Sequence, residues 1–138
     1  MPGLDFLDTN ILVYAYDVTD PAKQGVAREL VRKAVAGGLV ISTQVLGEFA
    51  ATLLHKLIPA PSSDDILALL DTLAPIRLIT PDHDMIRRAV EAKAAYGIHF
   101  YDGTIVAAAE RAGCERIWSE DLNAGQKYFG VAVANPFA

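Results

Sequence analysis

Short apolar runs alternate with longer stretches of helical period along the chain. Runs at residues 4–7, 39–42, 76–79, 116–118 and 131–134 predict strands, since brief apolar segments bounded by turn signals suit buried strands. A short helix is expected over residues 10–16. Asp20-Pro21 marks the start of a second helix, with Asp at the cap and Pro at the first helical position. That helix carries Val26, Leu30 and Val31 and stops at Gly37-Gly38. The next runs from residue 44 to about 57, with Val45, Phe49 and Thr52 on one face. Ser62 or Ser63 caps a fourth, in which Ile66, Leu69, Leu70 and Leu73 recur at i, i+3, i+4 and i+7, and Pro75 ends it. Thr80-Pro81 opens a fifth, closed by Gly97. A sixth covers residues 100–112 and ends at Gly113, a left-handed cap position.

This alternation predicts an α/β fold: a three-layer α/β/α sandwich with a central parallel sheet of four to five strands. No linker, repeat or low-complexity tract divides the chain, and 138 residues suit one domain, so a single domain over residues 1–138 is expected. Ligands of open parallel sheets sit beyond the carboxyl ends of the strands. Acidic residues just after strands are therefore the first place to look for chemistry.

Asp8 follows the first strand in Asp8-Thr9-Asn10. A plain helix cap explains it about as well as a functional role. Asp121 follows the fourth strand, where a solvated turn acid is the ordinary reading. Asp102 is more telling. It begins a helix, where the macrodipole favours an acid, but its neighbours at i+3, i+4 and i+7 are Ile105, Val106 and Ala109. That places a carboxylate on an apolar face expected to be buried, which is costly without a partner. Glu48 poses the same problem on the face of Val45 and Thr52, with a structural ion pair to a distant Lys or Arg as the alternative. If the four acids converge, they cannot all stay ionised without a cation among them. Oxygen-only ligands suit Mg²⁺, with Mn²⁺ as a substitute. Such an ion activates water for phosphodiester hydrolysis and needs neither a serine nor a histidine nucleophile.

Composition changes this picture only at its edges. Apolar residues make up 52% of the chain and charged residues 21%, which excludes a disordered tail protein. One cysteine, Cys114, excludes an intrachain disulfide framework and a cysteine-rich zinc site. No apolar stretch reaches the ~20 residues of a membrane span. No basic residue precedes the first apolar stretch, so no secretory signal is expected. The expectation is a soluble cytoplasmic protein. The net charge of -5 argues against a nucleic-acid binder, which ordinarily carries a basic stripe. That argument loses force if several of the acids hold cations.

The motifs resemble the PIN domain, and more narrowly the VapC-type toxins of bacterial toxin–antitoxin pairs, over nearly the whole chain. Phe6-Leu7-Asp8-Thr9-Asn10-Ile11-Leu12-Val13-Tyr14 resembles the opening strand with its first metal-binding acid. Gln44-Val45-Leu46-Gly47-Glu48-Phe49 resembles the second acidic motif, and Tyr101-Asp102-Gly103-Thr104-Ile105 begins the third. Ser119-Glu120-Asp121-Leu122-Asn123 is similar to the fourth, with Asp121 as the aligned acid and Glu120 as its adjacent alternative. The resemblance implies a Mg²⁺-dependent endoribonuclease cutting structured RNA such as tRNA or rRNA, a homodimer, and a small antitoxin that covers the site. It implies that Asp8, Asp102 and Asp121 bind metal. Glu48 would bind it directly or through water, or orient the attacking water. Thr9, Asn10 and Ser119 would support the carboxylates by hydrogen bonding.

Other residues invite simpler readings. His55, His83 and His99 form no i, i+4 metal pair and read as surface or loop residues. Cys114 and Trp118 read as core. Tyr14, Tyr16, Phe100 and Tyr101 offer rings to unpaired bases, with core packing the better reading for at least two. Arg28, Arg32 and Lys33, and the Arg87-Arg88 pair, read as solvated helix faces, with phosphate contact as the alternative for either cluster. The main alternative function is a non-catalytic PIN-like module that binds RNA or protein without cutting. A phosphatase or receiver domain fits less well, because Asn10 stands where the second aspartate of such a phosphatase belongs.

Overall fold

The computed structural model describes residues 3–138. Its strands are β1 (Asp5–Leu7), β2 (Leu39–Ser42), β3 (Arg77–Ile79), β4 (Arg116–Trp118), β5 (Lys127–Tyr128) and β6 (Val131–Ala134). Its helices are α1 (Thr9–Tyr14), α2 (Pro21–Val35), α3 (Thr43–His55), α4 (Ser63–Leu73), α5 (His83–Tyr96) and α6 (Phe100–Arg111). The strands form one sheet in the order β3-β2-β1-β4-β6-β5, parallel throughout except for the β5–β6 pair. The α/β class and mainly parallel sheet are as expected, but the sheet has six strands rather than four or five. The extra strand is the two-residue β5. It turns back into β6 through Phe129 (φ 49°) and Gly130 (φ 83°). Two successive positive φ angles are the signature of a type I′ hairpin turn.

From β1 the chain steps one way to β2 and β3, then crosses to β4 on the other side of β1. Right-handed crossovers then place α1 to α4 on one face and α5 and α6 on the other. The reversal opens a crevice beyond the carboxyl ends of β1 and β4. Phe6, Leu7, Val40, Ile41 and Ile117 are fully buried in the centre of the sheet. On one face α6 is buried from Gly103 to Ala109, which includes Thr104 and the apolar neighbours of Asp102.

Capping fixes where most helices begin. Asp20 caps α2 through the Lys23 N–H, Ser42 caps α3 through the Val45 N–H, and Ser62 caps α4 through the Asp65 N–H. The fifth helix departs from expectation. Thr80-Pro81 lies ahead of it, and Asp82 is the cap, accepting the Met85 N–H at 2.9 Å. Gly97 closes it at φ 69°, as expected. A Cβ on Gly103 would lie 2.6 Å from the Ala89 carbonyl oxygen, so glycine sets how closely α5 and α6 approach. Arg88 is not a solvated side chain. Its guanidinium forks onto Glu110 at 2.8 and 2.9 Å, also reaches Glu91, and lies 3.5 Å from the centre of the Phe129 ring.

Candidate functional site

Asp8 leaves β1 and caps α1. Its Oδ1 accepts the Thr9 backbone N–H and its Oδ2 accepts the Ser119 hydroxyl, both at 2.7 Å. The cap reading is therefore correct for one oxygen, while the other is tied to the end of β4. At 7% exposure Asp8 is the only buried carboxyl among the described residues. Burial pushes its pKa up to about 6. Bonds from Ser119 and Thr9 oppose the rise, and the charges of Asp121 and Asp102 add to it.

Ser119 is fully buried and joins two segments. While donating to Asp8, its Oγ accepts the backbone N–H groups of Asp121 at 3.1 Å and Leu122 at 3.2 Å. Asn10 adds a second link: its amide donates to Asp121 Oδ2 at 3.0 Å, and its Oδ1 accepts the Glu120 N–H at 3.3 Å. The loop after β4 is thus held against the start of α1.

Glu48 is exposed, contrary to the buried apolar setting expected for it. The buried line of α3 is Val45, Phe49 and Leu53, and Glu48 sits one position off that line, at its edge. There its Oε2 accepts the Thr9 hydroxyl and its Oε1 accepts the Gln44 amide, each at 2.9 Å. Gln44 stands at i−4, a spacing that favours this pair on any helix. Asp102 is half-buried in the first turn of α6. The His99 side chain caps that helix by accepting the Tyr101 N–H at 3.2 Å. Burial raises the Asp102 pKa; the His99 charge lowers it, and Asp121 and Glu48 raise it further.

The four acids thus face one another electrostatically, and among the described residues no Lys or Arg pairs with any of them. Among the described residues the structural ion pair allowed for Glu48 is absent. Glu120 behaves differently. It accepts the Tyr14 hydroxyl at 2.7 Å and the Lys23 ammonium at 2.5 Å, which hold its carboxyl below the usual range. Lys23 in turn lies over the rings of Tyr14 and Phe137. Sequence reasoning missed this cluster, in which Glu120 lies 106 residues from Tyr14 and 97 from Lys23 along the chain.

An all-carboxylate set of this kind has the donor chemistry of a hard divalent cation. Among the described residues no three His, Cys, Asp or Glu side chains form a ready-made cage. Two of the acids are instead turned into bonds with Thr9, Gln44 and Asn10. Mg²⁺ keeps several waters and takes only one or two direct carboxylates, so a loose set fits it better than a closed one. Beside the acids, a cavity of about 580 Å³ opens between α1 and α3, reaching from Asp121 and Glu48 to His55 and Lys56. Cys114 is buried, as expected, and burial pushes its thiol up to about 12.

The chain belongs to the PIN domain family, whose model matches residues 6–129. Solved structures share the fold at low identity. A toxin–antitoxin complex from Klebsiella pneumoniae superposes with a TM-score of 0.69 at 19% identity, covering 96% of this chain and 97% of that one. DNA-bound VapBC from Salmonella typhimurium gives 0.69 at 17%, covering 99% of each chain. Mycobacterium tuberculosis VapC20, described as a sarcin-ricin loop cleaving toxin, gives 0.65 at 20%, covering 85% of this chain and 91% of that one. Comparison with the curated proteins gives no match. Among the described residues no helix is long and apolar enough to cross a membrane.

Proposed function

We propose that this protein is a Mg²⁺-dependent endoribonuclease, with Mn²⁺ able to substitute, and that it acts as the cytoplasmic toxin of a toxin–antitoxin pair. The observation that carries the reading is the group of mutually repelling carboxyls, one of them buried, without a basic partner among the described residues. Asp8, Asp102 and Asp121 would hold the ion, one or two of them directly and the rest through its bound waters. When bound, it lowers the pKa of a water and offsets charge on the phosphate. The protein's own part is positional. Ser119 and the Thr9 N–H fix both oxygens of Asp8. Asn10 fixes Asp121. Glu48, braced by Thr9 and Gln44, stands to accept a hydrogen bond from the attacking water.

The toxin–antitoxin complexes among the similar folds support a small antitoxin as partner. The cleaving activity stated for the Mycobacterium tuberculosis relative supports structured RNA, tRNA or rRNA, as substrate. A homodimer belongs to the same reading. The test is cleavage of total cellular RNA with Mg²⁺ or Mn²⁺. Wild type should cut, while Asp8→Asn and Asp102→Asn should lose cleavage and keep their circular dichroism. A wild type that cuts nothing would count decisively against the proposal.

The lack of a ready-made ligand cage among the described residues favours one competing reading, a module that binds without cutting. Calorimetric titration separates the two: the enzyme takes up divalent metal and Asp102→Asn weakens that uptake, whereas the module takes up none.

A further inference from the structure

Resting on the reading as a ribonuclease, we propose that the cavity between α1 and α3 is a substrate subsite for one unpaired nucleotide. Lys56, assisted by His55, holds the phosphate beyond the one that is cut. The first argument is elimination. A polyanion must be held beside a cluster of acids by a chain of net charge -5. Five of the twelve basic residues are already ion-paired: Lys23, Arg32, Arg88, Arg111 and Arg116. Arg28 is directed onto the Ala15 carbonyl oxygen. Of the remaining six, only Lys56 lines the cavity that contains Glu48 and Asp121.

The second argument is the order of chemistry along the cavity. Glu48 and Asp121 stand at one end. Along α3 the lining runs from Glu48 through Ala51 to His55 and Lys56; α1 and the turn after it add Val13, Tyr14 and Asp17, and the loop after β4 adds the Lys23-paired Glu120 beside Asp121. Acids that handle the cut phosphate, an apolar bed for a base and sugar, and then a cation match the order phosphate, nucleoside, phosphate. Lys56 follows Glu48 by eight positions on α3, ~12 Å along the helix axis. No single phosphate reaches both ends. At about 580 Å³ the cavity falls within the range of small-molecule pockets. It admits one splayed nucleotide and not a duplex. Lys56 is also the C-cap residue of α3, where a cation suits the helix dipole, so the experiment must separate binding from stability.

The test is steady-state cleavage of an unstructured RNA oligonucleotide by full-length protein in Mg²⁺ over a series of salt concentrations. Lys56→Met should raise KM by about three- to tenfold, with kcat within about twofold of wild type. The slope of log(kcat/KM) against log salt should fall by about 0.7, the loss of one phosphate contact on a single strand. Lys56→Arg should restore both, and His55→Ala should show a smaller rise in KM. An unchanged salt slope in a Lys56→Met protein that still cuts overturns the subsite. So does a loss of activity that tracks a lowered Tm and is not rescued by arginine. A wild type that cuts no RNA overturns the underlying function instead.

Discussion

The Ser119 hydroxyl donates to Asp8 Oδ2 at 2.7 Å, so the residue that follows β4 fixes the first acid of the site across 111 positions of sequence. The same oxygen accepts two backbone N–H groups of the following loop. One buried hydroxyl therefore orients Asp8 and holds the segment that carries Asp121.

Ser119→Ala removes that joint. It strands the Asp121 and Leu122 N–H groups, at a cost of about 1–3 kcal/mol for an unsatisfied buried donor. Because the Ser119 bond opposes the rise in the Asp8 pKa, its loss also moves Asp8 further up. Urea denaturation should show the destabilisation, and Ser119→Thr, which keeps the hydroxyl, should restore most of it. An alanine variant as stable as wild type would mean that the loop does not depend on this bond.

The Asp8 shift makes a separate prediction in pH. In the unfolded chain the group titrates near 3.8, but in the folded protein it keeps its proton to about 6. Stability from this group is therefore complete below 3.8 and is lost as pH rises through about 6. The loss is about 3 kcal/mol. Asp102 shifts in the same direction. Asp82 is held at about 2 by Arg111 and acts oppositely, but only below 3.8. In metal-free buffer, stability should fall between pH 4 and 6, and Asp8→Asn should flatten most of that fall. Parallel profiles for the two proteins would refute the assignment.

Much of this was legible in the sequence. Strand-end position picked out Asp8 and Asp121, and the apolar neighbours of Asp102 marked it as unusual. The supporting bonds of Thr9, Asn10 and Ser119 exist as hydrogen bonds to Glu48, Asp121 and Asp8. What was hidden has physical reasons. Strand β5 is two residues long and is defined by its pairing and a positive-φ turn rather than by any apolar run. Glu48 looked buried because one step around a helix moves a side chain about 100°, enough to take it from core to rim. The Lys23–Glu120–Tyr14 cluster, like the ring under Arg88, joins residues that only the folded topology brings together.

Two glycines should respond in opposite senses to alanine. At Gly103 the new methyl would press on the Ala89 backbone at 2.6 Å, which neither helix can relieve without separating. The expected cost is about 1–3 kcal/mol, with Asp102 displaced alongside. At Gly47, exposed in the interior of α3, a Cβ meets nothing within 4 Å. Alanine there should stabilise by about 0.5–1 kcal/mol through helix propensity and unfolded-state entropy. Thermal unfolding of both variants checks the pair. A Gly103→Ala protein that melts with wild type would show that α5 and α6 are not locked by this contact.

Divalent metal should stabilise the fold, and by more at high pH than at low. On the proposed reading the cation would bind the ionised acids, so below about pH 5 it must compete with the proton that Asp8 retains to about 6. Above pH 7 that competition is gone and the repulsion among Asp8, Asp102, Asp121 and Glu48 is at its greatest. A ligand at about a hundred times its Kd adds about 2.7 kcal/mol to stability. In a chain of this length that is a rise of several degrees in Tm. Mn²⁺ titrations followed by thermal denaturation at pH 5 and pH 8 should therefore diverge, with the larger rise at pH 8. The rise should shrink sharply in Asp102→Asn. Equal shifts at both pH values in wild type and variant would place the ion elsewhere on the protein and leave the acids without the cation their arrangement calls for.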